Sequence, residues 1–159
     1  MIFDCSLCEG ICCYNPPQIA NKREYEFAKS QGAEIVAVKI SSEKYALAIA
    51  KKNRKCPFLT ETNKCSIYEN RFESCRNYKC GFLNKKIEGP INPAEFAVYL
   101  NSTNGSNTED LDIFLVSKKF IKNEHIRILK PSEIIETLSA LDFDIFFSII
   151  QKINNKINI

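Results

Sequence analysis

Eight cysteines stand in the first half of a 159-residue chain, and their spacing restricts what it can become more than any other feature. Four form the run Cys5-x2-Cys8-x3-Cys12-Cys13. The rest follow at Cys56, Cys65, Cys75 and Cys80, with none beyond. A metal needs its sulfur ligands to converge at about 2.3 Å, and a Cys-x2-Cys turn supplies two of them cheaply. The doubled Cys12-Cys13 is more informative. Neighbouring side chains diverge, so this pair suits two sites built side by side, or one site with a bridging thiolate. Eight thiols make two four-sulfur sites with none left over. The later gaps of eight, nine and four residues are too wide for a paired zinc ribbon, so spacing leaves open which four share an ion. The two segments must nevertheless meet in space.

Two other uses of the thiols are weighed against metal. A disulfide framework needs an oxidising compartment, and Met1 to Cys5 shows neither a basic n-region nor an apolar h-region. A reducing cytoplasm is therefore the expectation. Redox or catalytic cysteine chemistry without metal is the other use, and a lone Cys-x2-Cys would not separate it from ligation; the full set of eight does. The longest apolar stretch, residues 143–150, is interrupted by Asp144 and Ser148, far short of a membrane span. Hydrophobic residues at 45% are enough for a core without covalent staples.

Zinc is favoured over an iron–sulfur cluster because the bacterial ferredoxin run, C-x2-C-x2-C with a later Cys-Pro, is not reproduced. Here the second gap is x3, a doubled cysteine follows, and Cys56-Pro57 comes 43 residues after Cys13. The lone His125, between Glu124 and Ile126, reads as a surface residue rather than a ligand.

The formal charge of +3 counts every thiol as neutral. Two zinc tetrathiolate sites would each add −2, so +3 − 4 gives about −1. That removes the net-charge argument for a nucleic-acid partner. The basic run Lys51-Lys52-Asn53-Arg54-Lys55 reads as a solvated turn that also offsets thiolate charge.

The remaining pattern predicts an α+β fold. Asn21 can cap a helix, Glu24 can complete a capping box, and Gly32 can end it. Residues 35–40 and 45–50 read as two strands of a hairpin around Ser41-Ser42-Glu43. A short helix over 66–75 and another over 91–100 are expected, then a polar loop over 101–108 and a weak helical signal over 109–122. After Pro131, the stripe Ile134, Leu138, Leu141, Ile145, Ile149, Ile153 predicts one long amphipathic helix. Phe143, Phe146, Phe147 and Ile150 lie off that stripe, so burial between two layers or self-association is expected. The division expected is a cysteine-rich metal-binding domain, residues 1–90, with a helical region, residues 91–159, packed on it.

The cysteine segments, taken together, resemble the CxxCxxCC cysteine-cluster family of zinc- or iron-chelating proteins. The likeness runs through Cys5-Ser-Leu-Cys8-Glu-Gly-Ile-Cys12-Cys13, Glu24, Cys56-Pro-Phe-Leu59, Cys65-Ser-Ile-Tyr-Glu69, Arg71 and Cys75-Arg76, over roughly residues 5–80. This chain has one extra residue between Cys8 and Cys12, and Phe72 where the family usually has proline. The resemblance implies a bound metal ion, Zn2+ or alternatively iron, and no assigned reaction. One longer relative with a similar cysteine domain transfers methyl groups. That activity is not expected here, because no two of the five glycines lie close enough for a phosphate-cradling loop. There is no Ser/His/Asp set either.

The expectation is a metal-binding protein holding zinc, two ions, through Cys5, Cys8, Cys12, Cys13, Cys56, Cys65, Cys75 and Cys80. Arg71 and Arg76 would offset the thiolate charge and donate hydrogen bonds to sulfur. The alternatives are an iron–sulfur protein with redox or methyl-transfer-related activity, and a zinc-stabilised adaptor whose C-terminal helices form a homodimer or take a protein partner.

Overall fold

The computed structural model describes residues 1–101, 113–138 and 142–158. Its helices and mixed sheet make it an α+β protein, as the sequence pattern predicts. Helix α1 (Lys22–Ser30) starts where Asn21 Oδ1 accepts the Glu24 amide at 2.9 Å. It ends where Gly32 turns left-handed at φ +74°, while the Ala33 amide donates to the Ala28 carbonyl at 3.1 Å. Strands β1 (Ile35–Lys39) and β2 (Lys44–Ile49) form the expected antiparallel hairpin, with Ile35 opposite Ile49 and Lys39 opposite Tyr45.

Two short strands extend that hairpin into a four-stranded sheet. β3 (Leu115–Ser117) pairs antiparallel with β2, and β4 (Arg127–Ile128) pairs parallel with β1, giving the order β3-β2-β1-β4. The strand period of two then sorts side chains between two cores. Tyr45, Leu47 and Ile49 are buried with Ile19, Tyr25 and Ala28 on the face covered by α1. Val36, Ala48 and Ala50 meet Leu129, with Ile134 and Leu138 packed against them on the other face. Between β3 and β4 lies α4 (Lys118–Asn123), capped by Ser117 Oγ accepting the Phe120 amide at 3.2 Å.

A third core is aromatic. Phe3, Phe82, Phe96 and Phe146 pack with Leu7, Ile11, Ile91, Ile149, Ile150 and Ile153. Ring centroids lie 5.0 Å apart for Phe3–Phe82 and 4.9 Å for Phe82–Phe96. It joins the N-terminal segment to α3 (Pro93–Asn101) and α6 (Phe143–Ile157).

Three sequence expectations are corrected. The stripe after Pro131 is carried by two helices, α5 (Pro131–Leu138) and α6, not one. Asp142 accepts the Asp144 amide at 2.9 Å and starts α6 afresh. Ile134 and Leu138 serve the sheet core while Ile149 and Ile153 serve the aromatic one, which one straight helix would not allow. The stripe residue Leu141 lies outside the described residues. The segment 66–75 is a 3-10 turn, Tyr68–Asn70, followed by α2 (Glu73–Asn77). Within 109–122, Leu115–Ser117 is a strand, because β2 offers it an open edge, while the helical signal is met from Lys118 onward in α4 and residues 109–112 lie outside the described residues. The polar loop expected over 101–108 falls outside the described residues, except Asn101, which ends α3.

Candidate metal centre

The N-terminal cysteine loop is shaped by local hydrogen bonds before any metal is considered. Leu7 donates to the Asp4 carbonyl, Ile11 to that of Cys8, and Cys13 to that of Gly10, at 3.1, 3.1 and 2.8 Å. The chain reverses at Glu9 and Gly10, both left-handed at φ 54° and 72°. Gly10 has a second reason to lack a side chain: a Cβ there would meet Leu59 Cδ1 at 2.9 Å. This close approach presses the first cysteine segment onto the second.

The second segment reaches the first through Cys56, whose amide donates to the Cys13 carbonyl at 2.6 Å. A tight turn through Asn63, at φ 59°, then returns the chain. Thr60 donates to Lys64 and Ser66 to Phe58, both at 2.8 Å, and Leu59 pairs with Cys65. Cys65 is thereby placed alongside the Cys56–Leu59 stretch. Cys75 enters on the first turn of α2, anchored by Phe72, which is 1% exposed and packs on Phe58 at 6.0 Å. Cys56 belongs to the core under α1, and Cys13, Cys65 and Cys75 pack against it.

Cys80 goes elsewhere. Phe82 stacks on Phe3, Phe3 donates to the Lys85 carbonyl at 3.0 Å, and Ile2 pairs with Lys86. Those contacts bring the segment after Cys80 alongside the chain start. Cys8 sits in the aromatic core and Cys80 packs against it.

All eight cysteines are free, with Cys8 and Cys56 buried and Cys5 and Cys12 exposed. The thiols sense one another. Burial pushes the Cys8, Cys56 and Cys75 thiols up to about 11. Cys12 and Cys5 push Cys8 the same way; Cys75, Cys65 and Cys12 do so for Cys56. Cys12 is raised most by its hydrogen bond with Cys13, then by burial. Burial also raises Cys5, followed by Cys12 and Cys80. Without a metal these groups hold their protons at neutral pH, so an ion must displace them.

Among the described residues, no three His, Cys, Asp or Glu side chains already stand so as to hold an ion. Eight soft donors in two adjoining neighbourhoods nevertheless fit a thiophilic metal. Closing a tetrahedron would require sulfurs to turn about their Cα–Cβ bonds. Arg71 supplies a second sign of fit. Its guanidinium stacks on Tyr68 at 3.9 Å and its charge acts on both Cys5 and Cys75. Its Nε is buried with no hydrogen-bond partner among the described residues. A thiolate is an acceptor that would satisfy it. Arg76 is exposed and donates to the Arg71 carbonyl at 2.6 Å.

Glu24 does not close the capping box expected of it. Its Oε2 accepts the Ala20 amide and its Oε1 the Glu73 amide, both at 2.6 Å. At 9% exposure it is the buried charged residue among those described. It ties the start of α1 to the start of α2, and so to Cys75. The sequence signal for this was present, since Glu24 belongs to the family pattern, but its partner 49 residues away was not legible.

The CxxCxxCC family, described as a zinc- or iron-chelating domain, matches residues 4–96. The chain belongs to that family, and the match spans every cysteine and both arginines. No curated protein and no solved structure matches it. Metal chelation is thus the class of activity that fold and sequence define. Among the described residues no helix is long and apolar enough to cross a membrane.

Proposed function

We propose that this protein holds two zinc ions through thiolates of Cys5, Cys8, Cys12, Cys13, Cys56, Cys65, Cys75 and Cys80, in a cytoplasmic setting. The supporting observation is that cysteines 43 residues apart in sequence share a neighbourhood, with the Cys56 amide on the Cys13 carbonyl. Residues 1–90 carry every thiol and form the metal-binding unit; residues 91–159 pack on it through β3 and α6. Four thiolates per ion leave no open coordination position, which favours a structural or storage role over catalysis. Arg71, and more remotely Arg76, offset the charge.

Elemental analysis of anaerobically prepared protein tests this reading, with two zinc ions per chain expected. Iron with broad absorption near about 400 nm would replace it with the iron–sulfur alternative. A structural zinc contributes about 10–16 kcal/mol of apparent binding free energy in small finger peptides. Chelation should therefore loosen residues 1–90, and unchanged circular dichroism and melting would overturn the structural role. A second reading, the adaptor, is favoured by Phe143 and Phe147, which are 73% and 49% exposed on α6. Its occupant would be a second copy of this chain, and sedimentation as a monomer at high concentration would remove it.

A further inference from the structure

The eight cysteines fall in sequence into an early four and a late four, and the obvious division gives each four one ion. The fold divides them differently. Cys13, although adjacent to Cys12, packs on the core that holds Cys56, with Cys65 and Cys75 beside it, and its carbonyl takes the Cys56 amide. Cys80, although only five residues past Cys75, packs on the aromatic core that holds Cys8. Its neighbours in the chain are stitched to the first three residues through Phe3–Phe82 and Ile2–Lys86.

We infer that the two centres exchange one cysteine each across the sequence: Cys5, Cys8, Cys12 and Cys80 hold one ion, and Cys13, Cys56, Cys65 and Cys75 hold the other. This rests on the two-ion reading above and specifies its ligands. Electrostatic neighbours agree. Cys5 is influenced by Cys12 and Cys80, and Tyr78 by Cys80, Cys12, Cys8 and Cys5 together. Cys75 and Cys56 are both influenced by Cys65. Cys12 also acts on Cys56 and Cys75, as expected of a residue on the wall between adjoining sites. Cys12 and Cys13 hydrogen-bond to each other where the two neighbourhoods meet, so this adjacent pair would form the seam between the ions, Cys13 serving the one beside Cys56.

The Arg71 charge then acts on Cys5 of one centre and on Cys75 of the other. One cation shared by two sites of −2 reduces the repulsion that adjoining tetrathiolates would otherwise suffer.

Double Cys→Ser variants distinguish the two divisions by metal count in native mass spectrometry of zinc-loaded full-length chain. Cys5→Ser/Cys80→Ser removes two ligands from one centre under the crossed division, so one zinc should remain. Cys5→Ser/Cys13→Ser damages both centres and should leave none tightly held. The sequential division requires the reverse pattern, and that result would overturn the inference. Because such variants can fail to fold, wild-type protein supplies a second measurement. Holoprotein is partly demetallated with a limiting chelator, pulsed with N-ethylmaleimide and mapped by peptide mass spectrometry. Cys5, Cys8, Cys12 and Cys80 should be labelled together in molecules retaining one zinc. Labelling of Cys5, Cys8, Cys12 and Cys13 as one set would sink the crossed division while leaving two ions intact. Wild-type protein carrying a single zinc would instead defeat the two-ion reading, and this assignment with it.

Discussion

Glu24 and Glu73 are joined by a hydrogen bond in which a buried side-chain carboxylate receives a backbone amide at 2.6 Å. The same carboxylate receives Ala20. The bond fixes the first turn of α2 against the first turn of α1, and Cys75 is two residues further on. A charged residue outside the cysteine segments thus helps to place the one that carries Cys75.

Removing that carboxylate should be costly. Glu24→Ala leaves the Ala20 and Glu73 amides without an acceptor in a buried setting, a loss of about 2 kcal/mol. For a chain of this length that corresponds to a melting temperature lower by roughly 4–8 °C. Calorimetry of the zinc-loaded protein reads it. A melting temperature equal to wild type would show that the latch does not contribute.

Gly10 should tolerate no side chain. Gly10→Ala forces an L-residue to φ +72° and drives its Cβ against Leu59 Cδ1. The backbone cost alone is about 1–2 kcal/mol. Since Gly10 links the two cysteine segments, zinc retention against a chelator should fall together with stability. Loss of stability with retention unchanged would mean that the Gly10–Leu59 contact does not govern the centre.

Arg71 should matter through its direction as well as its charge. Arg71→Gln is expected to weaken zinc retention by about tenfold or more in chelator competition, in the range found for partners that hydrogen-bond to ligands. Arg71→Lys keeps the charge but cannot place an Nε–H, so it should recover only part of the loss. Cobalt-substituted protein provides an independent signal, because a lost hydrogen bond to sulfur shifts the thiolate-to-metal charge-transfer band. Full recovery by lysine would reduce Arg71 to a point charge.

Glu124 connects α1 to the turn after α4. Lys29 donates to it at 2.7 Å, and Tyr25 donates to the same oxygen. Hydrogen bonds first from Lys29 and then from Tyr25 hold its carboxyl below the ordinary glutamate value of 4.5. Burial pushes the Tyr25 hydroxyl up to about 12, so it remains a donor across the neutral range. A depressed folded-state value means that the contribution is present above the unfolded value and is lost as pH falls through the folded one. The wild type should therefore exceed Glu124→Gln in urea midpoint at neutral pH, with the difference shrinking as pH falls below the ordinary glutamate value of 4.5. A difference constant with pH would show that the carboxylate charge is not involved.

Much of this was readable from residues in order. Asn21 and Gly32 bracket α1, and the alternation of Tyr45, Leu47 and Ile49 with alanines marks β2. These are local signals, resting on hydrogen bonds within a few residues and on a period of two. β4, with two residues, carries too little pattern to be seen, and it exists because β1 presents an edge. The split of the last stripe at Asp142 was legible only as a capping residue whose significance depends on two cores lying in different directions.

The cysteines show the same boundary. Their number and their thiol chemistry follow from covalent structure, so the sequence alone determined a metal-chelating class and the need for two segments to meet. Which core each cysteine segment packs against was decided by tertiary structure. Ile2, Phe3 and Phe82 pull the Cys80 segment towards Cys5, while Phe72 and Glu24 pull Cys75 towards Cys13 and Cys56. Spacing along the chain could not reveal this, because hydrophobic burial has no direction in sequence and chooses partners by where the cores form.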